Sequence, residues 1–200
     1  MCSFFSIFAV AMLELNDVLL QGEHHTLSLM AAEGRLTCIV DGSRWLQAML
    51  GFEPIVAGFI SIDGEPLTAQ NAASMRRMMA FVPHSLDDMG SITVYKAPTA
   101  AEVLGLRANH GCLADIHADG TTLADALQQE QALTGLTGQQ SQLLALAVLL
   151  HRPILLVDRP APSALPYLHR QAEAGSIVIV ATTDETIIGE ADTVVEQINE

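Results

Sequence analysis

From Leu143 to Leu150 every position is apolar, and Pro153 follows where a helix cannot continue. That pattern predicts a helix enclosed on all sides rather than an amphipathic one. Its start is marked by Thr137 and Gln140, which stand at the S/T-x-x-E/Q spacing of a capping box. There the hydroxyl and the amide side chain satisfy two orphan N–H groups, so the helix should begin near Gly138. Ile154 to Val157 is a short apolar run closed by a charge, the signature of a central parallel strand covered on both faces. Asp158 then falls at the strand's C-terminal end, where open α/β sheets place their ligand chemistry.

The rest of the chain fits this centre. Leu13 to Leu20 alternates as an edge strand, with Thr26 to Met30 as its partner across a turn at Gly22. Leu36 to Val40 reads as a buried strand and Leu46 to Leu50 as a helix, with Asp41 to Trp45 between them. Asp63-Gly64 is a strong hairpin turn. Met79 to Val82 and Ile177 to Ala181 are further strands, and Tyr167 to Ala174 is a short helix ended by Gly175. Thr99 to Arg107 and Thr122 to Ala132 carry helical spacing, with glycines, Asp and Asn between them. The fold class expected is α/β: a mostly parallel sheet with flanking helices, an N-terminal antiparallel β part and an inserted helical lobe.

Composition narrows the function. Two hundred residues suit one domain, and an apolar half with only 4% aromatics indicates an aliphatic core. A net charge of −14 argues against nucleic acid, whose binding rests on Lys and Arg. Cys2, Cys38 and Cys112 form no CxxC, so a reduced, cytoplasmic setting is expected. His110, Cys112 and His117 match no zinc spacing. Residues 1–11 are apolar but lack a basic leader and are too short for a bilayer, so they read as an extension before a domain at 12–200. Any membrane link would then run through a partner.

The serial order of motifs resembles the ATP-binding subunits of ABC transporters, a P-loop-NTPase-like family. Leu136-Thr137-Gly138-Gln139-Gln140 resembles the LSGGQ signature, and Leu155 to Pro160 resembles a Walker B strand ending in Asp-Glu-Pro. Gly58 to Leu67 resembles the family's G-x-I-x-I-D-G-x-x-L segment, Pro83-His84 occupies the Q-loop position, and Thr182-Thr183-Asp184 resembles the Thr-His-Asp switch. Ala191 to Val195 resembles the closing A-D-x-V strand. Any buried helix and strand would explain the hydrophobicity, but not this order. The resemblance makes residues 85–135 the helical lobe that meets membrane subunits.

The departures fall at reactive positions. A P-loop needs about eight residues, whose N–H groups cradle phosphates while a Lys reaches the β/γ-phosphates and a Ser/Thr holds Mg²⁺. Gly42, Ser43 and Arg44 occupy that place in a much shorter connection, and the chain's single lysine is Lys96. Arg44 could meet a phosphate, although a tight strand-to-helix turn accounts for the segment better. Arg159 replaces the catalytic glutamate, His84 the glutamine, Pro166 the D-loop aspartate and Thr183 the switch histidine. What the resemblance preserves is Asp158 as a metal-facing carboxylate, with Thr137, Gly138 and Gln140 at a helix start able to face a γ-phosphate. The expected function is a non-hydrolysing binding partner of an intact ABC ATPase or a membrane permease, as a heterodimer, with no cofactor. The alternative is a weak ATPase using Mg-ATP and non-standard residues.

Overall fold

The computed structural model describes residues 12–85 and 123–196. The expected helix Thr99 to Arg107, the His110, Cys112 and His117 set and the extension at 1–11 lie outside those residues.

Two sheets build the molecule. Strands β1 (Met12–Leu20), β2 (Leu27–Ala32), β4 (Ile55–Ile62) and β5 (Glu65–Pro66) form an antiparallel sheet in the order β2-β1-β4-β5. Strands β3 (Leu36–Val40), β6 (Met79–Val82), β7 (Ile154–Asp158), β8 (Ile177–Thr182) and β9 (Thr193–Val195) form a parallel sheet in the order β6-β7-β8-β3-β9. The helices are α1 (Ser43–Met49), α2 (Ala72–Met75), α3 (Leu123–Leu133), α4 (Gly138–Leu149), α5 (Leu165–Glu173) and α6 (Glu185–Glu190). No helix among the described residues is long and apolar enough to cross a membrane.

Side-chain alternation divides β3, β6, β7 and β8 between two cores. Ile154 and Leu156 of β7, with Ile177 and Ile179 of β8, face α1 and the inner face of the antiparallel sheet. Leu155 and Val157, with Val178 and Val180, face α4, α5 and α6. Both β7 and β8 are therefore buried at every position, as continuous apolar runs require. Helix α1 lies between the two sheets, with Trp45, Leu46, Ala48 and Met49 buried on the first core.

Three expectations change. β1 is an interior strand paired on both sides, Leu13 with Ala31 and with Ile62, because β4 returns along the side a hairpin alone would leave open. Helix α1 begins at Ser43, so only Asp41 and Gly42 separate it from β3. Helix α4 is not enclosed throughout: Leu144 to Ala147 are buried, while Leu143 and Val148 to Leu150 are half-buried. The remaining strands and the hairpin at Asp63-Gly64 lie where the sequence places them, both turn residues having positive φ.

Cys38 on β3 is wholly buried, and that burial pushes its thiol up from 9.0 to about 11. The neutral thiol is favoured in the fold, so this contribution to stability is intact below about pH 9 and is lost as pH rises through about 11. Urea unfolding of the wild type and Cys38→Ala at successive pH values should show a steeper alkaline loss for the wild type between those limits; parallel curves would disprove the assignment.

Candidate functional site

Three strand ends meet at the C-terminal edge of the parallel sheet. There the Asp41 amide donates to the Thr182 carbonyl (3.1 Å) and the Arg159 amide to the Ala181 carbonyl (2.7 Å), tying the exits of β3 and β7 to β8 between them. Asp41 and Arg159 both take positive φ as the chain leaves its strand. Gly42 packs so closely that a Cβ there would lie 2.5 Å from the Ile39 side chain, so the turn is compact as well as short.

Across β8, the Ser43 hydroxyl donates to Asp158 Oδ1 at 2.5 Å. The other oxygen, Oδ2, faces Arg159 Nη2 at 3.5 Å. Asp158 is 5% exposed, which makes a bonded partner necessary for its carboxylate. Gln140, from the first turn of α4, donates its amide to the Asp158 carbonyl (2.9 Å) and the Pro83 carbonyl (3.3 Å). His84 donates from Nδ1 to the Arg159 carbonyl (3.1 Å), a bond that fixes its tautomer because a carbonyl can only accept. Ser43, His84, Gln140, Asp158 and Arg159 thus come together from separated stretches of chain.

Gln140 corrects the capping-box expectation. Thr137 is the N-cap, with extended backbone, and Gly138 opens the helix as foreseen, but no side chain caps the helix start. The Gln140 amide is drawn instead to the Asp158 and Pro83 carbonyls at the sheet edge. Buried hydroxyls set the approach to the helix: Thr134 Oγ1 donates to the Gln131 carbonyl (2.8 Å), contacts Ser141 Oγ (3.1 Å) and accepts from the Leu136 amide (3.2 Å). Thr137, Gly138 and Gln139 are left exposed, with Gly138 at φ +72.

Arg44 is turned away from this cluster. It is ion-paired with Glu23 and with Glu53 (3.4 Å), and it donates to the Gln21 carbonyl at 2.8 Å. Its pKa is raised, chiefly by the hydrogen bond to Glu53. The acids that claim it lie in a polar turn and just beyond α1, and only the packing of β1 and β4 against α1 brings them to it. Thr183 is exposed, and its neighbour Asp184 caps α6 by accepting from the Thr186 and Ile187 amides (2.9 and 3.3 Å). No group of three or more His, Cys, Asp or Glu among the described residues could hold a metal ion.

No protein-family model and no curated protein matches the sequence at a significant level. Solved structures do match the architecture. A bacterial Atm1-family ABC exporter with ATP bound superposes with a TM-score of 0.65 at 19% identity, over 95% of this chain and 37% of the exporter chain. An ATP-binding subunit of an ABC transporter gives a TM-score of 0.65 at 20% identity, over 92% of this chain and 85% of that one. The fold is that of an ABC ATP-binding subunit. CbiO1 from Clostridium perfringens, part of the ABC transporter complex cbiONQ, agrees at 0.61 and 14% identity, over 94% and 84% of the two chains.

The connection from β3 to α1 is two residues long, Asp41 and Gly42. A two-residue connection cannot supply the ring of N–H groups that a loop of about eight residues supplies, and Arg44 is engaged elsewhere. The residues at hand do not fit a triphosphate held with Mg²⁺ in the P-loop manner. What persists is the hydroxyl-to-carboxylate pair, Ser43 with Asp158, with a guanidinium on the free side of the carboxylate.

Removing the Ser43 hydroxyl leaves a buried carboxylate oxygen unpaired, so Ser43→Ala should destabilise the fold by roughly 1–3 kcal/mol. Arg159→Gln should cost less than about 1 kcal/mol, because Arg159 is half-exposed and its pair is screened. Chemical denaturation of both variants measures the difference, and an equal or reversed order would contradict the assigned partners.

Proposed function

We propose that this chain is a non-hydrolysing ABC-type subunit that acts by binding a partner. The observation that carries the reading is the Asp41-Gly42 connection between β3 and α1, which leaves nothing to wrap a triphosphate. Phosphoryl transfer depends on positioning the phosphates and neutralising their charge, and the chain provides neither in the usual place. Arg159 supports the same reading, since a guanidinium beside Asp158 stands where the family resemblance calls for a catalytic glutamate.

In this reading residues 12–200 form one ATP-binding-type domain, 85–135 its helical lobe and 1–11 an extension. The exposed start of α4 carries the binding function. Thr137, Gly138 and Gln140 stand in the opening turn at the positive end of a helix of 12 residues, where no side chain caps the N–H groups among the described residues. That setting favours a partner's γ-phosphate, although the Gln139 side chain stands where a glycine would let backbone approach most closely. The chain would complete one site of a heterodimer with an intact ATPase and reach the inner membrane from the cytoplasm through that partner or a permease, with no cofactor of its own.

A second reading, a weak Mg-ATP-binding subunit using non-standard residues, draws on the retained Ser43 and Asp158 pair. A thermal melt separates the two. ATP at a hundred times its Kd stabilises by about 2.7 kcal/mol if it binds, whereas the first reading expects no shift for the isolated chain.

Purified protein should hydrolyse Mg-ATP no faster than a buffer control, and Arg159→Glu should not change that, because a carboxylate alone does not hold phosphates. Mg²⁺-dependent turnover in either protein refutes the non-hydrolysing role. Mixed with an intact ABC ATPase encoded beside it, the chain should associate more strongly when ATP is present, as followed by light scattering. Gly138→Asp should weaken that ATP-dependent part by setting a carboxylate against phosphate. Association indifferent to ATP and to this substitution would remove the capping role.

A further inference from the structure

We propose that a second site, a basic cleft at the opposite end of the parallel sheet, binds a small organic anion joining a carboxylate or phosphate to an apolar body. The cleft has a volume of about 320 Å³ and lies between the turn before β6, the outer side of β6 and the C-terminal half of α4. Arg76 and Arg77 precede the start of β6, and Arg152 precedes the start of β7. The site is therefore remote from the Ser43 and Asp158 cluster at the strands' C-terminal ends and stands whether or not the reading of that cluster holds.

Charge singles it out. The chain has 9 Lys and Arg against 23 Asp and Glu, yet Arg76, Arg77 and Arg152 all line this one cleft, and among the described residues no acid does. Such a gathering of cations in a chain of charge −14 lowers the cost of placing an anion there.

The arginines are also held in place. Arg76 donates to the Leu50 carbonyl at 2.9 Å and lies 4.9 Å over the Phe52 ring, while Arg152 donates to the Arg77 carbonyl. Arg77 is exposed, and among the described residues no carboxylate pairs with it or with Arg76. A guanidinium fork matches a carboxylate or phosphate with two parallel hydrogen bonds.

The apolar part has its own place. Among the described residues β6 is the edge strand and no further strand covers Phe81, and Leu143 of the neighbouring helix and Leu150 at its end stay half-buried beside it. The volume is at the small end of ligand pockets, about 300–1,000 Å³, which suits a short chain or single ring rather than a nucleotide.

Octanoate serves as the probe in an amide-resolved NMR titration of the full chain. It should give saturable shifts that cluster in residues 73–81 and 143–152. 1-Octanol, which lacks the charge, should bind about tenfold more weakly, the worth of one charged hydrogen-bonding group, and acetate, which lacks the apolar body, should bind more weakly still, since each buried CH₂ is worth about fourfold. Arg77→Gln should weaken octanoate by a similar factor without changing the thermal melt, since the side chain is exposed. Ala73→Phe, also at an exposed lining position, should occlude the cleft while leaving all three arginines. Failure of octanoate to saturate, shifts confined elsewhere, equal binding of 1-octanol, or affinity unchanged in both variants would each overturn the site.

Discussion

Burial of β7 and β8 on both faces is the constraint from which the rest of the structure follows. A strand with apolar side chains on each side needs two covering layers, and here one is supplied by α1 with the antiparallel sheet and the other by α4, α5 and α6. Once those layers are in place, chain exits are confined to the sheet's two ends. Polar chemistry is confined with them. The C-terminal end receives Asp158 directly from β7 and Ser43 from the helix that follows β3, and the N-terminal end receives Arg77 and Arg152 from the turns that lead into β6 and β7.

Asp158 illustrates how burial dictates the partners of a carboxylate at a strand's end. A carboxylate this deeply placed must be paired, and a hydroxyl, a guanidinium and the Gln140 amide on its own carbonyl now surround it. These contacts join the ends of β6 and β7 to the starts of α1 and α4. The arrangement serves as a structural knot at the C-terminal end of the parallel sheet. Arg44 follows the same logic, since two carboxylates and a carbonyl fix it against the antiparallel sheet.

Local signals were enough to place most of the strands and helices. Runs such as Ile154 to Val157 and Ile177 to Ala181 are too continuously apolar for anything but covered strands, and Asp63-Gly64 can hardly be other than a hairpin turn. Period and turn chemistry are properties of adjacent residues, so the sequence carries them openly. The serial order of those elements also carried the family-like architecture that the structural comparisons support. β1 was misplaced as an edge because pairing with β4 joins residues far apart in the chain, and nothing local to β1 reports the second partner.

The site was legible in its membership and illegible in its bonding. That Asp158 stands at a strand's end, that Thr137 precedes a helix and that the connection after β3 is too short for a phosphate loop are all facts of spacing, which the amino-acid sequence determined by itself. Which partners the polar side chains take was decided by the tertiary structure. Gln140 had the spacing to cap its own helix, yet strand-end carbonyls lay nearer once α4 packed on the sheet; Arg44 met Glu23 and Glu53 because folding of the antiparallel sheet brought them to α1. A hydrogen bond is short-ranged and directional, so a choice among competing partners is made only when packing has set the distances between them.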